Sequence, residues 1–174
     1  PEKGLFQLLE AFHYVEQPGK ELIIVGDGKL KSELENYVLE SDIKSVRFVG
    51  FQPRAYVGKF YAIADALVLP SSREATGAVI TEAMSFGLPV IVSDKVGFGI
   101  DLVEHGSSGY IFPVGDTIAL AGYLTKLMVA SKEQRSEMAK RSRQIVEEWS
   151  NLDLAGSLLN HLDSLYAANG NHEG

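Results

Sequence analysis

Cysteine is absent from the 174 residues, which removes both a disulfide framework and any thiolate metal site. Histidine is scarce, and His13, His105, His161 and His172 lie far apart without ligand spacing, so no metal is expected. No apolar run approaches the ~20 residues of a spanning helix. The opening PEKGLFQLL also lacks the basic start and apolar stretch of a secretory signal, which makes a cytoplasmic protein the expectation. Positive charge is in deficit: 16 Lys and Arg against 23 Asp and Glu give a formal net charge of -7. That balance argues against general binding to nucleic acid or an anionic membrane, while a local positive field could still receive a small anion. Internal repeats, low-complexity tracts and linkers are missing too.

What is present is an ordinary globular composition, 45% hydrophobic and 22% charged. It suffices for one domain burying roughly 70% of its unfolded surface. Short apolar runs of strand type alternate with longer amphipathic segments: ELIIVG (21–26), SVRFVG (45–50), ALVLP (66–70), PVIVS (89–93) and GYIFP (109–113). Such continuous runs fit a parallel sheet covered on both faces. The segments between them are long enough for right-handed crossover helices. A doubly wound, Rossmann-like α/β domain is therefore expected, followed by three helices over 117–130, 132–149 and 151–168. Such a sheet usually opens with a strand, whereas this sequence opens with PEKG at the door of a helix, so the chain reads as a fragment.

Ligands of open α/β sheets collect outside the carboxyl ends of the strands. VGDG after the first run invites a dinucleotide reading, but after Gly26 and Gly28 the third glycine of G-x-G-x-x-G falls at Lys31. A tight strand-to-helix turn that walls a pocket at Gly26 is the better reading, and a plain oxidoreductase domain is not expected. The loop after ALVLP says more. Glu74 hangs in it, and Gly77 opens a helix whose unsatisfied amides at Thr76, Gly77 and Ala78 suit a phosphate. Glu82 then sits ~7.5 Å further along the axis. A carboxylate accepts hydrogen bonds from two neighbouring hydroxyls at once, so the pair suits a ligand with polyol ends and an anionic middle. The residues alone leave alternatives open: Glu74 as a solvated or capping acid, Glu82 as an exposed helix position or the partner of a nearby base.

The stretch SSREATGAVITEAMSFGLPVIVSD, with DLVEHGSSGYIFPVGD behind it, resembles the C-terminal, donor-binding half of glycosyltransferase family 4 enzymes of the GT-B fold. The hallmark is a glutamate, seven residues and a second glutamate, here Glu74 and Glu82, followed by Glu-Ala-Met, a glycine and Leu-Pro-Val-Ile. EKG at 2–4, IIVGDGKL at 23–30, VRFVGF at 46–51 and YAIADALVLPS at 61–71 extend the match over nearly the whole chain.

The resemblance implies a retaining transfer of a sugar from a nucleotide-diphosphate donor to an acceptor hydroxyl, with no essential metal and no cofactor besides the donor itself. It implies that Lys3 holds the diphosphate, Glu74 the sugar and Glu82 the ribose. Amides from Thr76 through Gly77 and Ala78 to Val79 face the phosphates, and backbone at Val49, Gly50 and Phe51 borders the base. Acceptor recognition belongs to an N-terminal domain outside this chain, which is the expected partner, along with any peripheral membrane contact of the full-length enzyme. The chain by itself is expected not to transfer sugar. Where the family has glycine and an aromatic after the first glutamate, this sequence has Ala75 and Thr76, which alters the sugar pocket more than the phosphate site. A nucleotide-sugar epimerase and a non-catalytic nucleotide-sugar-binding module are the competing readings.

Further along, Phe98 reads equally as core or as pocket wall. Asp101 is expected to cap the short helix that begins there, and His105 to be a histidine at that helix's C-terminal end. The last helix resembles the family's bracing helix, with Leu152, Leu158, Leu159, Leu162 and Leu165 as an exposed stripe.

Overall fold

The computed structural model describes residues 3–73 and 78–169, with the side chains of 98 and 152–169 outside that description. Five strands, β1 (Leu22–Val25), β2 (Val46–Gly50), β3 (Leu67–Leu69), β4 (Val90–Ser93) and β5 (Gly109–Phe112), fall on the five apolar runs. Helices α1 (Leu5–Tyr14), α2 (Lys31–Glu40), α3 (Arg54–Ile63), α4 (Ala78–Ser85), α5 (Gly97–Leu102) and α6 (Thr117–Val129) occupy the segments around and between them. All strand pairings are parallel, and the expected doubly wound α/β architecture is what forms. Hydrogen bonding divides the sheet into two pieces, β1-β2 and β3-β4-β5.

Strand β4 shows why the runs are apolar throughout. Ile91 packs among Leu8, Phe112, Leu120 and Leu124 on the α1 and α6 side. Val90 and Val92 pack among Ile80, Met84, Leu102 and Ile145 on the side of α4, α5 and a last helix, α7 (Lys132–Asn169). With successive side chains on opposite faces and helices over both, every β4 residue is buried. A third cluster, Leu9, Phe12, Leu34 and Ile43, joins α1 and α2 to the β1-β2 piece.

Helix ends follow local chemistry. The stretch MSFGLPV stops α4 in a Schellman motif: Leu88 N–H donates to Ala83 O at 3.1 Å and Gly87 N–H to Met84 O at 2.8 Å. Gly87 takes the required left-handed φ of 79°, and Pro89 follows. The sharp stop delivers the chain straight into β4. Asp116 caps α6 by accepting from Ala119 N–H at 2.8 Å. Ser131 and Gln134 cap α7 reciprocally, Gln134 N–H to Ser131 Oγ at 3.2 Å and Ser131 N–H to Gln134 Oε1 at 2.8 Å.

Three sequence expectations need correction. The helices expected at 132–149 and 151–168 are one, α7 (Lys132–Asn169); neither a proline nor a left-handed glycine follows Trp149, so nothing there ends a helix. Asp101 lies inside the last turn of α5, whose N-cap is Val96, and so caps nothing at its start. His105 sits beyond the helix, bridged to Gly109, with its Nδ1 accepting from Ile111 N–H at 3.1 Å. The side chains of Phe98 and of the leucines from 152 to 165 lie outside the described residues.

Candidate functional site

Several of the residues singled out in the sequence lie at the carboxyl ends of the strands. At the door of α1, Gly4 adopts φ 64°, and a Cβ added to it would lie 2.0 Å from the carbonyl oxygen of Pro70, just past β3. Only a residue without a side chain permits that approach, which fixes Lys3 beside the end of β3. At the end of β1, Gly26 N–H donates to Gly50 O at 2.9 Å and ties the tips of β1 and β2 together. Phe51 follows β2 with its ring exposed, and Ala78 and Val79 open α4.

Lys3, Gly26, Phe51, Ala78 and Val79 all line one cavity of about 1680 Å³. Five of the expected contacts, scattered over 77 positions of sequence, thus reach one opening. Val49 and Gly50 stand behind it: their carbonyls are taken by Gln52 Nε2 at 2.9 Å and by Gly26 N–H. Phe51 is the residue of that segment that lines the cavity. Glu74, Thr76 and Gly77 lie outside the described residues.

Glu82 has the partner that the sequence left open. It projects from the second turn of α4, where Oε1 accepts from the exposed Arg54 guanidinium at 3.0 Å and Oε2 from the Tyr61 hydroxyl at 3.3 Å. Arg54 and Tyr61 are seven residues apart on α3, which places them on one face two turns apart. The pair with Arg54 is solvent-exposed and contributes at most about 1 kcal/mol. The bond from Tyr61 is the firmer one, because that ring is buried, packed against Phe86 with centroids 5.6 Å apart.

Burial first, and the Glu82 charge second, push the Tyr61 phenol up to about 12. Its folded-state pKa is raised, so its contribution to stability is complete below pH 10 and is lost as pH rises from there through about 12. In an alkaline spectrophotometric titration Tyr61 should be the last tyrosine to ionise, and Tyr61→Phe should delete that late step. A late step surviving in Tyr61→Phe assigns it elsewhere.

Sequence reasoning overlooked Tyr61 and Arg54, although YAIADALVLPS was noted. A face-sharing Arg and Tyr seven apart was the available signal. It also overlooked Ser71, which is wholly buried after β3. The Ser71 carbonyl accepts from Ser93 Oγ at 2.5 Å, but its own Oγ has no partner in the structure. A buried hydroxyl left unsatisfied costs about 1–3 kcal/mol, and this one stands two residues past the end of β3. Among the described residues no group of His, Asp or Glu is arranged to hold a metal ion, and no helix is long and apolar enough to cross a membrane.

Residues 1–145 match the family model of the glycosyl transferases group 1. Among curated relatives, the amylovoran biosynthesis glycosyltransferase AmsK of Erwinia amylovora is 36% identical over 135 residues, 72% of this chain and 33% of that protein. The N-acetyl-alpha-D-glucosaminyl L-malate synthase of Bacillus anthracis is 32% identical over 148 residues, 84% of this chain and 38% of the relative. The chain therefore spans well under half the length of these proteins. Among solved structures, Anabaena HepE in complex with UDP superposes with a TM-score of 0.78 at 27% identity, over 92% of this chain and 46% of that one. A Staphylococcus aureus TarM mutant superposes at 0.83 over 92% of this chain and 33% of that one, at 21% identity, a likeness of fold alone.

Proposed function

Because the chain belongs to the glycosyl transferases group 1 family, we propose that it is the donor-binding half of a retaining, metal-independent glycosyltransferase of family 4, passing a hexose from a nucleotide diphosphate to an acceptor hydroxyl. The observation that carries this reading is the convergence of Lys3, Gly26, Phe51, Ala78 and Val79 on one opening at the strand ends. The UDP held by the HepE structure supports a nucleotide diphosphate as the ligand class.

In this reading the diphosphate lies between the Lys3 ammonium and the start of α4 at Ala78, facing the amides of Thr76, Gly77, Ala78 and Val79. Charge develops on the departing diphosphate as the bond to the anomeric carbon breaks. A fixed ammonium and a helix N-terminus stabilise that charge without reorganising. The base rests on Phe51, which lines the cavity, with Val49 and Gly50 behind it. Glu82 exchanges Arg54 for the ribose hydroxyls while Tyr61 keeps the carboxylate in place, and Glu74 orients the sugar, an entropic contribution to rate. The acceptor side belongs to a further domain of the full-length cytoplasmic enzyme, and sugar transfer requires that domain.

The test is calorimetry of Glu82→Gln against the parent chain, with UDP-glucose and GDP-mannose as probes and EDTA present throughout. Hydrogen bonds to a charged group contribute about 1.5–3 kcal/mol, so the variant should bind the accepted nucleotide roughly ten- to hundred-fold more weakly at an unchanged Tm. A 2′,3′-dideoxy nucleotide should bind parent and variant alike. Equal binding of the ribonucleotide by both proteins removes the ribose role, and binding lost in EDTA removes metal independence.

A further inference from the structure

Where β2 ends, the 1680 Å³ cavity is lined by polar groups that the fold leaves unused. Lys31, half-buried, reaches it from the first turn of α2. Its ammonium stands 3.9 Å from the point where a Cβ on Gly50 would lie, at the carboxyl end of β2. No group among the described residues accepts from that ammonium. A cation in the first turn also stands at the positive end of its own helix, so α2 gains nothing from it. Gln52 lines the same cavity two residues past β2. Its Nε2 donates to Val49 O at 2.9 Å, which fixes the sense of the amide. Its Oε1 is then an acceptor with two lone pairs, and no donor among the described residues meets it. Phe51 lies between Gly50 and Gln52, 73% exposed.

A donor and an acceptor thus flank an exposed aromatic ring, all three on one cavity. The combination selects among ligand classes. A bare anion would satisfy Lys31 but bring its lone pairs against those of the Gln52 oxygen. A sugar ring could meet both groups, yet gains little from a flat surface that suits a stacked heterocycle. A planar ring whose edge carries an acceptor next to a donor satisfies all three residues at once.

We propose that Lys31 and Gln52 are specificity-determining residues that read the edge of the nucleobase, admitting a carbonyl oxygen beside a ring N–H and rejecting an amine beside a bare ring nitrogen. The proposal rests on the functional reading above, which seats a base on Phe51. Uracil presents O4 beside N3–H, and guanine O6 beside N1–H. In either case Lys31 donates to the oxygen and Gln52 Oε1 accepts from the N–H. Cytosine and adenine invert both positions: the exocyclic amine meets the ammonium, donor against donor, and the bare ring nitrogen meets Oε1, acceptor against acceptor. Ring size does not enter, since uracil and cytosine share one ring and differ in hydrogen-bond polarity along that edge. A closed site built for such bonds rejects the wrong analogue by ~10⁴-fold, because its polar groups are left unpaired. Here both side chains are only half-buried, so water partly compensates and discrimination should be about ten- to hundred-fold.

The experiment is calorimetry of the 174-residue chain with UDP, CDP, GDP and ADP, repeated for Lys31→Met and Gln52→Met, which keep side-chain length and remove the donor or the acceptor. The parent should bind UDP at least about tenfold more tightly than CDP, or GDP more tightly than ADP where the opening takes the purine. Lys31→Met should weaken the favoured base about tenfold or more and Gln52→Met about threefold, each leaving the disfavoured base unchanged. Equal affinity of the parent for both members of each pair overturns the proposal, and that comparison needs no variant to fold. Equal loss of both members in Lys31→Met also overturns it, by making the lysine a general attractor of negative charge. If Glu82→Gln still weakens ribonucleotide binding in either case, the functional reading stands without this one. A parent that binds none of the four loses both.

Discussion

Gly4→Ala is expected to damage stability and nucleotide binding together, which few single methyl groups would do. A left-handed φ costs a non-glycine residue about 1–2 kcal/mol. The added Cβ would also lie 2.0 Å from Pro70 O, a backbone atom with no rotamer to change. Either the first turn of α1 or the loop after β3 must move, and overpacking of this kind costs a further 1–3 kcal/mol or so. The expected loss is on the order of 3 kcal/mol in urea unfolding. Because Lys3 is held against β3 through this contact, affinity for a nucleotide diphosphate should fall about tenfold or more, the cost of displacing one charged partner. A variant that unfolds earlier but binds as tightly as the parent detaches Lys3 from the site.

Phe112→Ala should cost more, about 3–5 kcal/mol. Its ring is fully buried where β5 meets α1 and α6, among Leu8, Ile91 and Leu120. For a chain of this size that loss lowers Tm by about 10 °C or more. Since β5 leads directly into Val114 and Gly115 at the cavity mouth, ligand binding should weaken only near the lowered transition. Loss of binding well below it would give Phe112 a role beyond packing.

The strands were legible because a parallel sheet covered on both faces demands continuous apolar runs, and β1 to β5 fall within those quoted from the sequence. The stop of α4 was legible as FGLP, since glycine at C′ followed by proline leaves a helix little else to do. What the runs do not carry is neighbour order. Nothing in ELIIVG or ALVLP says that β1 pairs with β2 and β3 with β4. Contacts across long sequence separations were invisible for the same reason. Glu82 meets Tyr61 and Arg54 from 21 and 28 residues away, so an open choice between solvent and a nearby base became a specific pair only in three dimensions. Asp101 and the continuous α7 show the limit of local signals. An acid beside a helix is a cap only when it stands at the start, and Ser150 and Asn151 can begin a helix or lie unnoticed inside one.

The most direct measurement is an amide-resolved NMR titration of the chain with a nucleotide-diphosphate sugar. Binding at the strand ends should shift the amides of Gly4, Gly26, Phe51, Ala78, Val79 and Gly115 together along one saturation curve. Gly106, Ser107 and Gln134, which line a separate concavity beside the amino end of β5, should stay in place. Saturable shifts confined to that second group, or none at either place up to millimolar ligand, would contradict the assignment of the site.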